Sequence, residues 1–208
     1  MIQAVIWDFG GVLTTSPLVA FARFERERAL PEGFIGRVNT TNYLENAWAR
    51  FERGEIDHTT FDRLFAEESR ALGHVVQGAD VLPLLAGDLR PEMVEALRRI
   101  QASMKTGCIT NNMPATDDAR ARSPYRAEVM ALFHHVIESA KIGLRKPDPR
   151  IYAMMVEALE VDPRRAVYLD DLGVNLKPAR AMGMRTIKVV DPAEALAELE
   201  DAVGFPLR

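Results

Sequence analysis

The chain has 208 residues, of which 48% are hydrophobic and 27% are charged, and its formal net charge is -4. This length suffices for one α/β domain, or for a core domain with a modest insertion, and the composition excludes disordered and fibrous classes. The mild acidity disfavours nucleic-acid binding, which needs clustered Lys and Arg against the phosphates. The single cysteine, Cys108, fits a reducing compartment, and no apolar run approaches the ~20 residues of a membrane helix. With no basic leader before the first strand, we expect a cytoplasmic protein without a nucleic-acid or membrane partner.

The predicted elements begin with a buried strand, after which the chain changes character. Residues 3–8 form a continuous apolar run that ends in an acid, a pattern typical of a parallel strand buried on both faces. Residues 17–88 then carry helix-period segments and no convincing strand. These predicted helices cover 17–30, 41–53, 58–72 and 78–86. The pattern indicates a small all-helical insertion, or cap, over residues 16–88.

Strands and helices alternate through the rest of the chain. Asp117 and Asp118 indicate a helix start after the second strand. Such alternation predicts right-handed crossovers and a parallel sheet with helices on both sides. The predicted strands cover 105–110, 134–139, 165–170 and 185–190, and the main predicted helices follow Pro91, at 148–160, 175–182 and 192–202. The fold class is therefore an α/β, Rossmann-like three-layer core over 1–15 and 89–208.

Polar side chains follow the predicted strands at the points where these strands end. The carboxyl ends of parallel strands meet at one edge of the sheet, so we expect these side chains to converge in one cleft. A lone acid or amide at such a place is more often a turn or capping residue, but four such groups together are harder to explain that way. They are Asp8, Thr110 with Asn111 and Asn112, Lys146, and the pair Asp170 and Asp171.

The convergence of three carboxylates requires positive charge between them. Lys146 and a divalent cation could supply it, and an all-oxygen site suits Mg²⁺, which typically binds one or two carboxylates together with substrate phosphate. Phosphate chemistry is the natural inference. Asp8 could attack phosphorus, while Thr110, Lys146 and backbone N–H groups near Asn111 hold the phosphoryl oxygens.

The same residues carry a resemblance to a known family. Asp8 in "DFGGVL", Thr110 in "ITNN", Lys146 in "RKPDPRIY" and the pair 170–171 in "VYLDDLGVNLKPARAMGM" resemble, in order and spacing, the four motifs of the haloacid dehalogenase (HAD) superfamily. The helical insertion resembles that superfamily's type C1 cap. Within the superfamily, the last three motifs are similar to the N-terminal phosphatase domain of soluble epoxide hydrolase.

The resemblance implies roles for individual residues. Asp8 would be the nucleophile, and Thr110 and Lys146 would be catalytic phosphate binders, helped by Asn111, Gly10 and Gly11. Asp171 would bind Mg²⁺ directly together with Asp8 and the Gly10 carbonyl, with Asp170 in the inner or outer shell. Asn175 would support the lysine or the metal shell, and the partner would be a small phosphorylated metabolite.

Gly10 departs from the family pattern, because phosphatases of this superfamily usually have a second Asp there as general acid and base. Three readings follow. The protein is a phosphatase that runs slowly or on substrates whose leaving group needs little protonation, with a substitute acid from the cap or from the substrate; a dehalogenase, whose halide leaves without a proton; or a catalytically silent protein that binds a ligand or partner. His58 and His74 of the cap are candidates for the substitute acid, although a surface position is the favoured interpretation for both. The retained pair Asp170–Asp171 favours metal and phosphate over dehalogenation, and the complete set of motifs favours catalysis.

Overall fold

The computed structural model describes residues 1–114 and 124–208, so the helix start expected at Asp117 and Asp118 lies outside the described residues. Its strands and helices are, in chain order, β1 (Ala4–Trp7), α1 (Pro17–Glu27), α2 (Phe34–Thr40), α3 (Ala47–Glu52), α4 (His58–Ala71), α5 (Gly78–Val81), α6 (Pro91–Gln101), β2 (Lys105–Thr110), α7 (Pro124–Met130), β3 (His135–Glu138), α8 (Ser139–Ile142), α9 (Pro149–Ala158), β4 (Ala166–Asp170), α10 (Gly173–Ala181), β5 (Arg185–Lys188) and α11 (Pro192–Val203). Two 3₁₀ turns lie at Leu82–Leu85 and Pro163–Arg165.

The five strands form one parallel sheet in the order β3-β2-β1-β4-β5, which confirms the predicted α/β class. The first strand lies at the centre, and Trp7 at its end is paired with Cys108 of β2 and Leu169 of β4. The next residue, Asp8, continues this register by donating its N–H to the carbonyl of Leu169 at 2.8 Å. The ends of β1 and β4 therefore bring two acids, Asp8 and Asp170, to neighbouring positions.

Alternate residues of the strands face two separate hydrophobic layers. Val5 and Trp7 pack with α6 and α11, whereas Ala4 and Ile6 pack with α9 and α10. This period of two places helices on both faces of a sheet that is buried on both sides. The result is the predicted three-layer core.

The inserted helices α1 to α5 surround a hydrophobic cluster of their own. Phe51 and Phe61 stack at 4.6 Å between ring centroids, and Trp48 meets Phe61 edge-on at 6.1 Å. At the base of the insertion, Thr14 and Leu89 form an antiparallel bridge where the chain leaves and re-enters the core. The helical nature of the insertion agrees with the sequence, while its boundaries at 16 and 88 stay a prediction.

Two details of the cap differ from expectation. Helix α2 was not predicted, and the helix expected over 41–53 begins only at Ala47. Asn46 explains the late start, because its side chain accepts from the N–H of Ala49 at 2.8 Å and donates to the carbonyls of Asn39 and Thr41. This cap closes the preceding turn and fixes the helix start.

Within the described ranges, none of the helices has both the length and the apolar character required to cross a bilayer.

Replacing the central ring of the cap cluster is expected to destabilise the protein. Phe61 is fully buried, so Phe61→Ala should lower the free energy of unfolding by about 3–5 kcal/mol, since the lost burial is accompanied by a cavity. Urea titration followed by circular dichroism measures this change. The control Tyr43→Ala removes a half-exposed ring of the same cap and should change the free energy by less than about 1 kcal/mol; equal losses for both variants would contradict the packing described here.

Candidate active site

The centre of the cleft is a buried lysine held between two carboxylates. The Nζ of Lys146 lies 2.9 Å from Oδ1 of Asp8 and 2.8 Å from Oδ2 of Asp170, and the lysine is 1% exposed. Burial by itself lowers the pKa of Lys146, but the two carboxylates outweigh it and raise this pKa above its ordinary value. The ammonium group therefore stays charged and fixes the ends of β1 and β4 relative to each other.

Asp8 presents one oxygen to the protein and one to the cleft. Its Oδ1 accepts from the N–H of Phe9 at 2.6 Å and faces Lys146, whereas the hydrogen bonds of residues 1–114 and 124–208 leave Oδ2 without a donor. Burial raises the pKa of Asp8 to about 8, against the opposing effect of Lys146. Further positive charge beside Oδ2 would favour the ionised carboxylate, which is the form needed for nucleophilic attack.

Asp170 is completely buried, and both of its oxygens are engaged. Besides Lys146, they accept from the hydroxyl of Tyr168 at 2.5 Å, from Nδ2 of Asn175 at 3.0 and 3.1 Å, and from the N–H of Leu172 at 2.9 Å. Burial, with Asp170 next, raises the pKa of Tyr168 well above its ordinary value, so this hydroxyl keeps its proton and donates. Asp170 thus acts as the anchor of Lys146 and of the following turn.

Asp171 is the acid that remains available. It is partly exposed, and its Oδ2 accepts a long hydrogen bond of 3.4 Å from the hydroxyl of Ser16, at the start of the cap. Burial, followed by the nearby charge of Asp170, raises the pKa of Asp171 to about 6. One carboxylate oxygen from each of Asp8, Asp170 and Asp171 lies within 4.8 Å of the others. This hard oxygen set fits a divalent cation such as Mg²⁺, with Asp8 and Asp171 as the acids free to bind it.

Gly11, the second glycine after Asp8, leaves the space that the carboxylate of Asp171 occupies. Gly11 has a φ of +75°, and a Cβ built on it would lie 2.2 Å from Oδ2 of Asp171. A side chain at position 11 would therefore displace the carboxylate. Gly10 is exposed and differs, because a Cβ there meets no atom within 4 Å. Steric exclusion is thus not the reason for the missing second Asp.

Thr110 and Asn111 lie where β2 ends, as predicted, but they are used differently. Thr110 is nearly buried, and its hydroxyl forms no hydrogen bond among the described residues, so it is free for a ligand. The side chain of Asn111 is occupied: its Oδ1 accepts from the N–H of Lys146 at 2.8 Å and its Nδ2 donates to the carbonyl of Lys146 at 3.0 Å. Only the backbone of Asn111 is left for the predicted binding of phosphate.

Hydrogen bonds and ion pairs link Lys146 to Asp8, Asp170 and Asn111, and Asp171 lies beside the two acids. Three further residues that the sequence did not reveal contact this group. The predicted Asn175 contacts Asp170 from the first turn of α10. The additional residues are Tyr168, Ser16 and the cap carboxylate Glu52, whose Oε2 lies 3.3 Å from Nδ2 of Asn111. Glu52 carried a weak signal, being an acid at the end of a short aromatic helix.

The two cap histidines considered as substitute acids pack against aromatic rings. His58 lies edge-on to Phe51 at 4.9 Å, and His74 lies edge-on to Phe34 at 5.2 Å. These contacts belong to the hydrophobic cluster of the cap.

Comparison with known proteins agrees with the fold. The haloacid dehalogenase-like hydrolase family matches residues 2–183, and the chain belongs to this family of hydrolases. It is 35% identical over 99% of its length to acyl-CoA dehydrogenase family member 10 of Mus musculus, and 30% identical over 99% to bifunctional epoxide hydrolase 2 of Sus scrofa. It spans only 19% and 40%, respectively, of these two relatives. A sesquiterpene phosphatase of Aspergillus oryzae is 26% identical, with 97% of each chain covered.

Among solved structures, the fold is similar to a HAD family enzyme of Bacteroides thetaiotaomicron in complex with magnesium and inorganic phosphate. The TM-score is 0.62, with 18% identity, and the match covers 90% of this chain and 94% of that one. The family relationship confirms the resemblance seen in the motifs, and phosphatases are among the relatives.

Magnesium binding should depend on the space at Gly11. Gly11→Ala places a methyl group where the Asp171 carboxylate lies, so we expect the affinity for Mg²⁺ to fall by about tenfold or more. Isothermal titration calorimetry with MgCl₂ measures it. Gly10→Ala is the matched control, because its methyl group meets nothing, and its affinity should stay within about twofold of the original. Equal affinities for the two variants would argue against a metal at Asp171.

Proposed function

We propose that this protein is a Mg²⁺-dependent phosphatase that hydrolyses a small phosphate monoester through an aspartyl-phosphate intermediate on Asp8. The observation that carries the proposal is the state of Asp8, whose Oδ1 is held by Lys146 while Oδ2 faces the cleft without a donor among the described residues. The phosphatases among its relatives support the same chemistry.

In the first step, Oδ2 of Asp8 forms a bond to phosphorus, and the bond from phosphorus to the leaving oxygen breaks. The negative charge on the transferring group is held by the ammonium of Lys146, the hydroxyl of Thr110 and the backbone N–H of Asn111. Asp8 and Asp171, with the carbonyl of Gly10, would hold the cation, which when bound neutralises phosphate charge and carboxylate repulsion.

In the second step, water attacks the phosphorus of the aspartyl phosphate, which releases phosphate and restores Asp8. Gly10 has no carboxyl group that could protonate the leaving oxygen or activate that water. General acid-base assistance typically contributes about 10²–10⁴-fold. The protein should therefore favour substrates whose leaving group needs little protonation.

The two other readings of the sequence are less well supported. Dehalogenation attacks carbon and has no use for the partly exposed Asp171 beside Asp8, so this acid favours phosphate chemistry. A silent binding protein has no need of a buried Lys146 that orients a nucleophile with one free oxygen. The binding role is an outcome of the first experiment below.

The nucleophile is tested by removing its charge. With Mg²⁺ and p-nitrophenyl phosphate, the protein should release phosphate, and Asp8→Asn should abolish the release because the amide is a poor nucleophile. Malachite-green detection of phosphate measures it. Asp201→Asn, an exposed acid of α11 that pairs with Arg185, is the control and should retain full activity. Turnover no higher than that of Asp8→Asn across a panel of phosphate esters would contradict the enzyme assignment and favour a binding role.

The missing acid is tested by restoring it. Gly10→Asp should fold normally, because the position is exposed and open, and it should raise kcat for alkyl phosphates by about tenfold or more while changing kcat for p-nitrophenyl phosphate far less. Kinetics with phosphate esters of increasing leaving-group basicity measure the difference. Gly10→Asn, whose side chain has the size of Asp but no acidic proton, should leave the preference for good leaving groups unchanged. Equal gains on poor and good leaving groups would rule out the missing acid as the cause.

A further inference from the structure

A carboxylate of the cap lies buried against the core next to the phosphate-binding lysine. Glu52, the last residue of α3, is 6% exposed. Its Oε1 accepts from Nε1 of Trp48 at 2.9 Å, within the cap, which fixes the direction of the side chain. Its Oε2 faces two groups of the core, Asn111 and Arg145.

These two contacts differ in kind. The Nδ2 of Asn111 donates to Oε2 of Glu52 at 3.3 Å. The Nε of Arg145 lies 2.5 Å from the same oxygen, and this contact is an ion pair. Glu52 thus joins a neutral amide and a charged guanidinium that lie on separate loops of the core.

Both core groups are joined directly to Lys146, one by hydrogen bonds and one through the chain. Asn111 clamps the backbone of Lys146 through both its N–H and its carbonyl, and Arg145 is the preceding residue. Nδ2 of Asn111 is shared between the carbonyl of Lys146 and Glu52. The amide is therefore oriented from the cap side by Glu52 and from the core side by the lysine loop.

Other contacts hold the cap at the same place. The Nη1 of Arg145 donates to the carbonyl of Tyr43 at 2.9 Å, and a Cβ built on Gly54 would lie 2.4 Å from the carbonyl oxygen of Ala140. The end of α3 is thus docked closely on the segment between β3 and Lys146.

We propose that Glu52 is a positioning residue, which acts through Asn111 and Arg145 to hold Lys146 in place when the cap is docked on the core. The inference rests on the proposed function for its kinetic consequence, since Lys146 is the group that orients Asp8 and binds phosphate. Glu52 itself does not reach the reacting atoms. Its carboxylate makes the position of the lysine depend on the presence of the cap.

The decisive variant is Glu52→Gln. The amide keeps the size of the carboxylate, but in either orientation its NH₂ group faces donors, Trp48 on one side or Asn111 and Arg145 on the other. Glu52→Asp is the second variant, which keeps the charge and withdraws it from Asn111 by one methylene group. Glu55→Gln is the matched control, because this cap acid is exposed and pairs with Arg53 and Arg50.

The first measurement does not depend on catalysis. The chain has five lysines, so labelling with ¹⁵N-lysine gives one backbone signal for Lys146 and four internal references. The N–H of Lys146 is the donor to Asn111, and its hydrogen exchange should become about tenfold faster or more in both Glu52 variants. The exchange of Lys177 and Lys188, far along the chain, should stay unchanged, and Glu55→Gln should resemble the original protein.

The second measurement separates kcat from KM with p-nitrophenyl phosphate and Mg²⁺. Both Glu52 variants should lose about tenfold in kcat with little change in KM, because a displaced lysine weakens charge stabilisation in the transition state. Unchanged exchange of Lys146 in a folded Glu52 variant, or equal acceleration at all five lysines, would overturn the inference. No turnover in the original protein would overturn the proposed function instead, and the exchange of Lys146 would still decide the role of Glu52.

Discussion

The ion triad of Lys146, Asp8 and Asp170 is the interaction on which the rest of the site depends. A charge buried this deeply is tolerated only when it is paired and hydrogen-bonded, and removing one partner leaves an uncompensated charge in the interior. The sheet order supplies the pairing, because β1 and β4 are neighbours in space although their first residues, Ala4 and Ala166, are 162 positions apart in the chain. The triad therefore ties the catalytic edge together across the fold, and it sets which oxygen of Asp8 is left for chemistry.

The three acids at this edge differ because their surroundings differ. Asp170 has every oxygen engaged by donors from β4, α10 and Lys146, so it acts as a fixed negative charge. Asp8 is engaged at one oxygen, and Asp171 has only the long contact from Ser16 among the described residues. Gly11 provides the space that Asp171 occupies. Three identical functional groups thus differ in what their surroundings leave available: Asp170 is an anchor, Asp8 keeps one oxygen for the proposed attack, and Asp171 is available for the proposed metal.

Much of this could be predicted from the sequence, for reasons that are themselves physical. Asp8, Thr110 and Asp170 end apolar strands, and parallel topology brings such ends together. What the sequence did not reveal depends on side-chain direction across long separations. Glu52 is one acid among many until the cap is docked. The sequence predicted backbone N–H groups near Asn111 at the phosphate, but it did not reveal that the side-chain amide of Asn111 binds the backbone of Lys146. Helix α2 was missed because it is short, follows a glycine, Gly33, with φ of +71°, and ends among Asn and Thr.

Glu52 and Ser16 of the cap contact the core at Asn111 and Asp171, respectively. In the proposed mechanism, Gly10 limits the hydrolysis of esters with a poor leaving group because it has no carboxyl group. The central claim is that Asp8 itself becomes phosphorylated. Borohydride added during turnover reduces an aspartyl phosphate to homoserine, and peptide mass spectrometry locates the change. Homoserine is expected at position 8 only, and its formation should depend on both substrate and Mg²⁺. Phosphate release with Asp8 unmodified under the same trapping conditions would contradict it.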